Sequence, residues 1–140
     1  MNSSNTQTHR VIWSSEELNE SARAANRSRA QWRLKVHNGQ LSPVEAIVQI
    51  VEMEDRAGMR ITLRSLFVDA PGWGRRRTDE LMEHIQKVAD SPSTPRRMTI
   101  AWLINPNSGG RRWEAMLDGV SRRDEEATPG FPFRQVERTT

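Results

Sequence analysis

Pro71-Gly72-Trp73-Gly74-Arg75-Arg76-Arg77 is the stretch on which the fold turns. Two glycines within three residues permit backbone angles closed to other residues, and they fall between two segments of helical periodicity. Upstream, Leu63, Leu66 and Phe67 recur at offsets of three and four, which predicts a short helix from about Thr62 to Val68. Ile61 and Val68 leave a strand open, but a strand facing one core would alternate. Downstream, Leu81, Met82, Ile85 and Val88 share one face and predict a helix from Arg75 to Ala89. The arginines therefore stand at a helix start.

That placement has a chemical consequence. A helix N-terminus carries unpaired amides and a partial positive charge, so an anion placed there gains charge-assisted hydrogen bonds. Three arginines at the same end disfavour an isolated helix by up to about 1 kcal/mol each, which makes sense where an anion offsets them. Gly72, Trp73 and Gly74 with Arg75, Arg76 and Arg77 form the first candidate phosphate site. The competing reading is a tight interhelical turn with a solvated basic surface and Trp73 as a core plug.

Working outward, Ser14 and Glu17 have capping-box spacing, and Gly39 is a natural stop, predicting a first helix from Ser15 to His37. Leu18, Ala25, Trp32 and Val36 give it only a narrow apolar stripe. Ser42-Pro43-Val44-Glu45 starts a second helix with Val44, Ile47, Val48 and Val51 inward, ending at Ala57-Gly58. Beyond the Pro-rich segment Ser91 to Pro95, Ile100 to Ile104 is an apolar run readable as a strand or a packed turn. A last helix from Arg111 to Arg123 turns Trp113, Met116, Leu117 and Val120 inward. The class is mainly helical, without an internal repeat.

A chain of 140 residues with 35% hydrophobic residues supports one domain with a modest core. There is no run long enough to span a membrane and no signal-peptide layout, so a cytoplasmic protein with no membrane partner is expected. Cysteine is absent, and His9, His37 and His84 are scattered, which gives no reason to expect a metal or other cofactor. No Ser/His/Asp or Cys/His set suggests catalysis, and the protein is expected not to be an enzyme. Net charge is only +3, but the charge is segregated. Arg23, Arg27, Arg29, Arg33 and Lys35 lie within residues 21–37 with no acid among them. Arg96-Arg97 and Arg111-Arg112 add two further pairs, the second again opening a helix after glycines. Such segregation suits a polyanion.

The order of these elements resembles the actinobacterial integration host factor family. The likeness runs from about Ser21 to Val120 and rests on Met59-Arg60-Ile61-Thr62-Leu63-Arg64-Ser65-Leu66-Phe67, on Pro71 to Met82, on Thr94-Pro95-Arg96-Arg97 and on Gly110-Arg111-Arg112. Residues 104–109 read as an insertion relative to that pattern, Trp73 departs from it, and the acidic tail has no counterpart in it.

The polar opening and the aperiodic, charged end with its Pro and Gly read as flexible tails at 1–13 and 124–140. The resemblance implies an all-α fold with a basic N-terminal helix over residues 14–38 and a helix-two-turn-helix body over 42–123. It implies a monomeric, nucleoid-associated architectural protein that binds double-stranded DNA through phosphates with little base specificity. Such a protein bends DNA and serves site-specific recombination beside a recombinase, in a host or phage setting. The primary contacts would be Arg75, Arg76 and Arg77; Arg96, Arg97, Arg111 and Arg112 would take neighbouring phosphates, and Arg23, Arg27, Arg29, Arg33 and Lys35 a second stretch of backbone. The alternatives are an RNA- or ribosome-associated protein on the same body, or a regulator docking an acidic protein partner.

Overall fold

The computed structural model describes residues 13–127, with side chains through residue 122. Among them are seven α-helices, two 3-10 turns and no strand, so the chain is all-α. The helices are α1 Ser15–His37, α2 Pro43–Glu52, α3 Arg56–Met59, α4 Leu63–Val68, α5 Gly74–Val88, α6 Ile100–Leu103 and α7 Arg111–Ala127. The 3-10 turns are Pro95–Arg97 and Pro106–Ser108. The tail expected over 1–13 lies outside the described residues except for Trp13. Of the tail expected over 124–140, residues 124–127 belong to α7 and the rest lie outside the described residues.

The starts of α1 and α2 rest on reciprocal capping. The Ser14 amide donates to Glu17 at 2.8 Å while the Glu17 amide donates to the Ser14 hydroxyl at 3.1 Å. The pair Ser42 and Glu45 repeats this at 2.8 and 3.1 Å, with Pro43 in the first turn where its missing N–H costs nothing. α1 closes with bonds from the Gly39 amide to Val36 O and from the Gln40 amide to Lys35 O, the paired arrangement of a Schellman turn.

Only the C-terminal half of α1 packs on the body. Trp32 and Val36 are buried, whereas every residue from Trp13 to Ala24 is exposed, Leu18 at 54%. The narrow stripe read from the sequence thus has a partner at one end only.

α2 is shorter and rotated relative to expectation. It buries Pro43, Ala46, Ile47 and Ile50, while Val48 is exposed and Val44 and Val51 are half-buried. It also stops at Glu52 rather than at Ala57-Gly58. The reason is Asp55. Its carboxylate caps α3 through the Gly58 amide at 3.1 Å and receives the Trp32 indole N–H and the Ser28 hydroxyl, each at 2.7 Å. To reach them the chain leaves α2 through Glu54 at φ 54°, a left-handed conformation costing a non-glycine residue about 1 kcal/mol.

The remaining body consists of two similar halves joined by a single backbone bridge. Thr62 and Thr99 form an antiparallel bridge, with Leu63 N donating to Met98 O at 2.8 Å and Ile100 N to Ile61 O at 3.0 Å. Each threonine also caps the short helix that follows it: Thr62 Oγ1 accepts from Ser65 N at 3.2 Å, and Thr99 Oγ1 from Trp102 N at 3.1 Å. Each short helix then leads through a glycine turn into a long one, α4 into α5 and α6 into α7. The two halves thus share a plan, and the apolar run at Ile100, open in the sequence between a strand and a packed turn, is a helical turn preceded by a single bridge.

The core lies between the halves and under α2. Ile47, Leu63, Phe67, Ile85, Ile100 and Met116 are fully buried, each contributing roughly 1.5–3 kcal/mol of transfer free energy before chain entropy is counted. α5 and α7 pack closely at Gly119, where an added Cβ would stand 2.5 Å from Leu81 Cδ1 and 2.9 Å from His84 Cδ2. Of the inward faces predicted for these helices, Leu81, Met82, Ile85 and Met116 are buried and Trp113 and Val120 half-buried, whereas Val88 at the end of α5 is 54% exposed and Leu117 in the middle of α7 is 36% exposed.

Candidate nucleic-acid interface

The turn before α5 is built by its backbone. Gly72 and Gly74 have φ of 85° and 76°, and neither has an atom within 4 Å of where a Cβ would be, so conformation alone requires glycine there. Trp73 is the N-cap residue and offers no side-chain cap to α5. Its ring lies edge-on to Phe67, centroids 4.8 Å apart at 75°, so Trp73 plugs the core under the turn.

The three arginines that follow have different tasks. Arg77 donates to the carbonyl of Gly72, and Thr78, fully buried, donates to the carbonyl of Gly74 at 2.7 Å. These bonds hold the turn from inside. Arg75 and Arg76 point outward, Arg76 being 92% exposed with only a loose 3.6 Å pairing to Glu80. A pair that exposed contributes little to stability. Two guanidinium groups thus flank a helix start that no side chain caps.

The equivalent turn before α7 uses its arginines differently. Gly109 and Gly110 again have positive φ, 62° and 82°. Arg111 Nε donates to Ser108 O at 3.1 Å, and Arg112 Nη1 donates to Trp102 O at 2.8 Å. The Arg112 guanidinium also lies 4.2 Å above the Trp102 ring, whose indole N–H donates to Ser93 Oγ at 3.1 Å. Arg112 is half-buried and braces this loop.

On α1 the basic residues are only partly free. Arg23 and Arg27 both reach Glu20, at 3.2 and 3.1 Å, and the two guanidinium groups, Arg27 foremost, lower the Glu20 pKa. Arg29 donates to Asn26, and Lys35 sits 4.9 Å from the Trp32 ring centroid. Arg33 reaches the body instead. It lines an open groove of about 500 Å³ together with Thr62, Arg64, Ser65, Asp69 and Arg96. Arg97 is exposed beside it.

Arg64 was not among the sequence candidates. It is half-buried, with Nε donating to Asp79 Oδ1 at 2.9 Å. Its position beside the apolar Leu63, Leu66 and Phe67 marks it as outward-facing, but nothing local shows that α1 and the Pro95–Arg97 turn would bring Arg33 and Arg96 alongside.

Asp55 fixes how α1 sits against this surface. Partial burial opposes its charge, but bonds from Trp32, Ser28 and the amides of Gly58 and Ala57 outweigh that and hold its carboxyl below the ordinary value. Among the described residues no group of three acidic, histidine or cysteine side chains could hold a metal, and no helix is long and apolar enough to cross a membrane. Comparison with protein-family models, with curated proteins and with solved structures gives no match.

Proposed function

We propose that the protein binds double-stranded DNA through its phosphate backbone, with little base specificity, as a monomeric, nucleoid-associated architectural factor of the integration host factor type. The observation that carries this reading is the pair Arg75 and Arg76, exposed at an uncapped helix start on a turn that Arg77, Thr78 and Trp73 hold rigid from within. Such a site meets a phosphate already organised, and it makes no use of base edges. Arg96 and Arg97 extend the surface, and the basic half of α1 supplies a second contact region whose separation from the first favours a bent duplex. Recombination beside a recombinase is the process this architecture would serve.

Salt dependence tests the reading directly. If roughly six phosphates are neutralised, log affinity for a linear duplex falls against log salt with a slope of about minus five. A slope shallower than about minus two overturns it. Ligase circularisation of short duplexes reports bending, and competition with structured RNA separates duplex DNA from an RNA ligand.

A further inference from the structure

We propose that the groove between α1, α4 and the Pro95–Arg97 turn seats one phosphate group, gripped by Arg33, Arg64 and Arg96, with Asp79 positioning Arg64. In naming a phosphate of the duplex backbone as the occupant, this rests on the function proposed above. The site itself stands on geometry. Three arginines from three separate elements line one open cavity, together with Thr62 and Ser65. Among the described residues no side-chain hydrogen bond or ion pair engages Arg33 or Arg96, so both guanidinium groups remain able to donate to a ligand. Arg64 is held to Asp79 through Nε alone, which fixes the plane of its guanidinium and leaves both Nη groups to donate. Asp69 is the one acid in the lining, so the groove stays positive.

A tetrahedral anion suits this arrangement. Guanidinium forks bind phosphate oxygens with paired, charge-assisted bonds, and three forks can serve three oxygens of one group. The groove also joins the two cationic regions of the molecule, because Arg33 belongs to α1 and Asp79 lies one turn along α5 from Arg75 and Arg76. A phosphate held here would tie the long helix to the body through the ligand.

The test uses the full chain and two probes, a mixed-sequence linear duplex and inorganic phosphate, followed by nitrogen-15 NMR and by anisotropy. With duplex, the Arg64 Nε–Hε signal and the Thr62 and Ser65 amides should shift. Arg33→Gln, Arg64→Gln and Arg96→Gln should each weaken duplex binding roughly fivefold to tenfold and flatten the salt slope by about one. Asp79→Asn and Asp79→Ala remove the same charge, but only Asn keeps an acceptor for Arg64 Nε. Asn should therefore bind duplex several-fold more tightly than Ala, a difference that loss of charge alone does not produce. If duplex binds with a slope near minus five while groove signals stay still and all three glutamine variants bind as the parent does, the seat is overturned and the DNA reading survives. If duplex does not bind at all, the DNA reading fails and inorganic phosphate decides. A saturable shift of the Arg64 signal that Arg64→Gln abolishes supports a seat for a free phosphorylated ligand, and no shift overturns the seat too.

Discussion

The two halves that meet at Thr62 and Thr99 share a plan and divide the labour. In each, a threonine-capped short helix passes through a glycine turn into a long helix headed by arginines. Before α5 the turn is braced by Arg77, Thr78 and Trp73, which leaves Arg75 and Arg76 pointing into solvent. Before α7 the bracing falls to Arg111 and Arg112 themselves, one bonded to Ser108 and the other laid over Trp102. The glycine-arginine motif is the same in both places. What differs is how far the arginines are already engaged: Arg75 and Arg76 take no part in bracing their turn, whereas Arg112 is bonded and stacked and Arg111 gives its Nε to Ser108 and keeps only its Nη groups for a ligand.

The comparison can be broken first on binding, where the largest effect is expected. Replacing Arg75 and Arg76 together by Ala should cost about 2–3 kcal/mol of duplex affinity at moderate salt, with the thermal midpoint of the free protein held or raised, because two cations leave the positive end of α5. Equal loss from Arg111→Ala with Arg112→Ala, at full stability, would show that the halves are functionally alike. Next comes the seam between them. Gly119→Val forces a side chain into Leu81 and His84 and should destabilise the fold by about 1–3 kcal/mol in urea denaturation.

Arg112→Ala sharpens the contrast from the other side. It removes a buried-side hydrogen bond and the stacking on Trp102, and should lower stability by about 1–2 kcal/mol while changing DNA affinity less than Arg75→Ala does. The smallest effect concerns acid. Because the Asp55 pKa is depressed on folding, its contribution is fully present above the ordinary carboxylate value near ~3.9 and is lost as pH falls through the lower folded value. Urea midpoints of the parent should therefore fall below about pH 4 more steeply than those of Asp55→Asn. Parallel curves would remove Asp55 as the tie between α1 and the body.

Two helix starts were legible in the sequence because capping is local: Ser14 with Glu17, and Ser42 with Pro43 and Glu45, need no tertiary information. The glycine turns were legible for the same reason. The C-terminus of α2 was not, since Asp55 leaves the helical pattern to meet Trp32 and Ser28, residues far away along the chain. Nor was the shared plan of the two halves, because the corresponding segments have little in common beyond a capping threonine and a glycine-arginine junction, and their turns differ in length. The candidate site was legible as composition only. Arg75 and Arg112 look equivalent in sequence, and the carbonyl of Trp102 and the ring beneath it distinguish them.

The clamp at Asp55 has a mechanical side as well. From Trp32 back to Ser15, α1 runs about 25 Å at 1.5 Å per residue without a partner in the body over most of that length. A rod held at one end magnifies what happens at the grip: a rotation of some five degrees there displaces the tip by about 2 Å, given that length. One carboxylate with an indole, a hydroxyl and two amides for partners thus sets the aim of the whole arm.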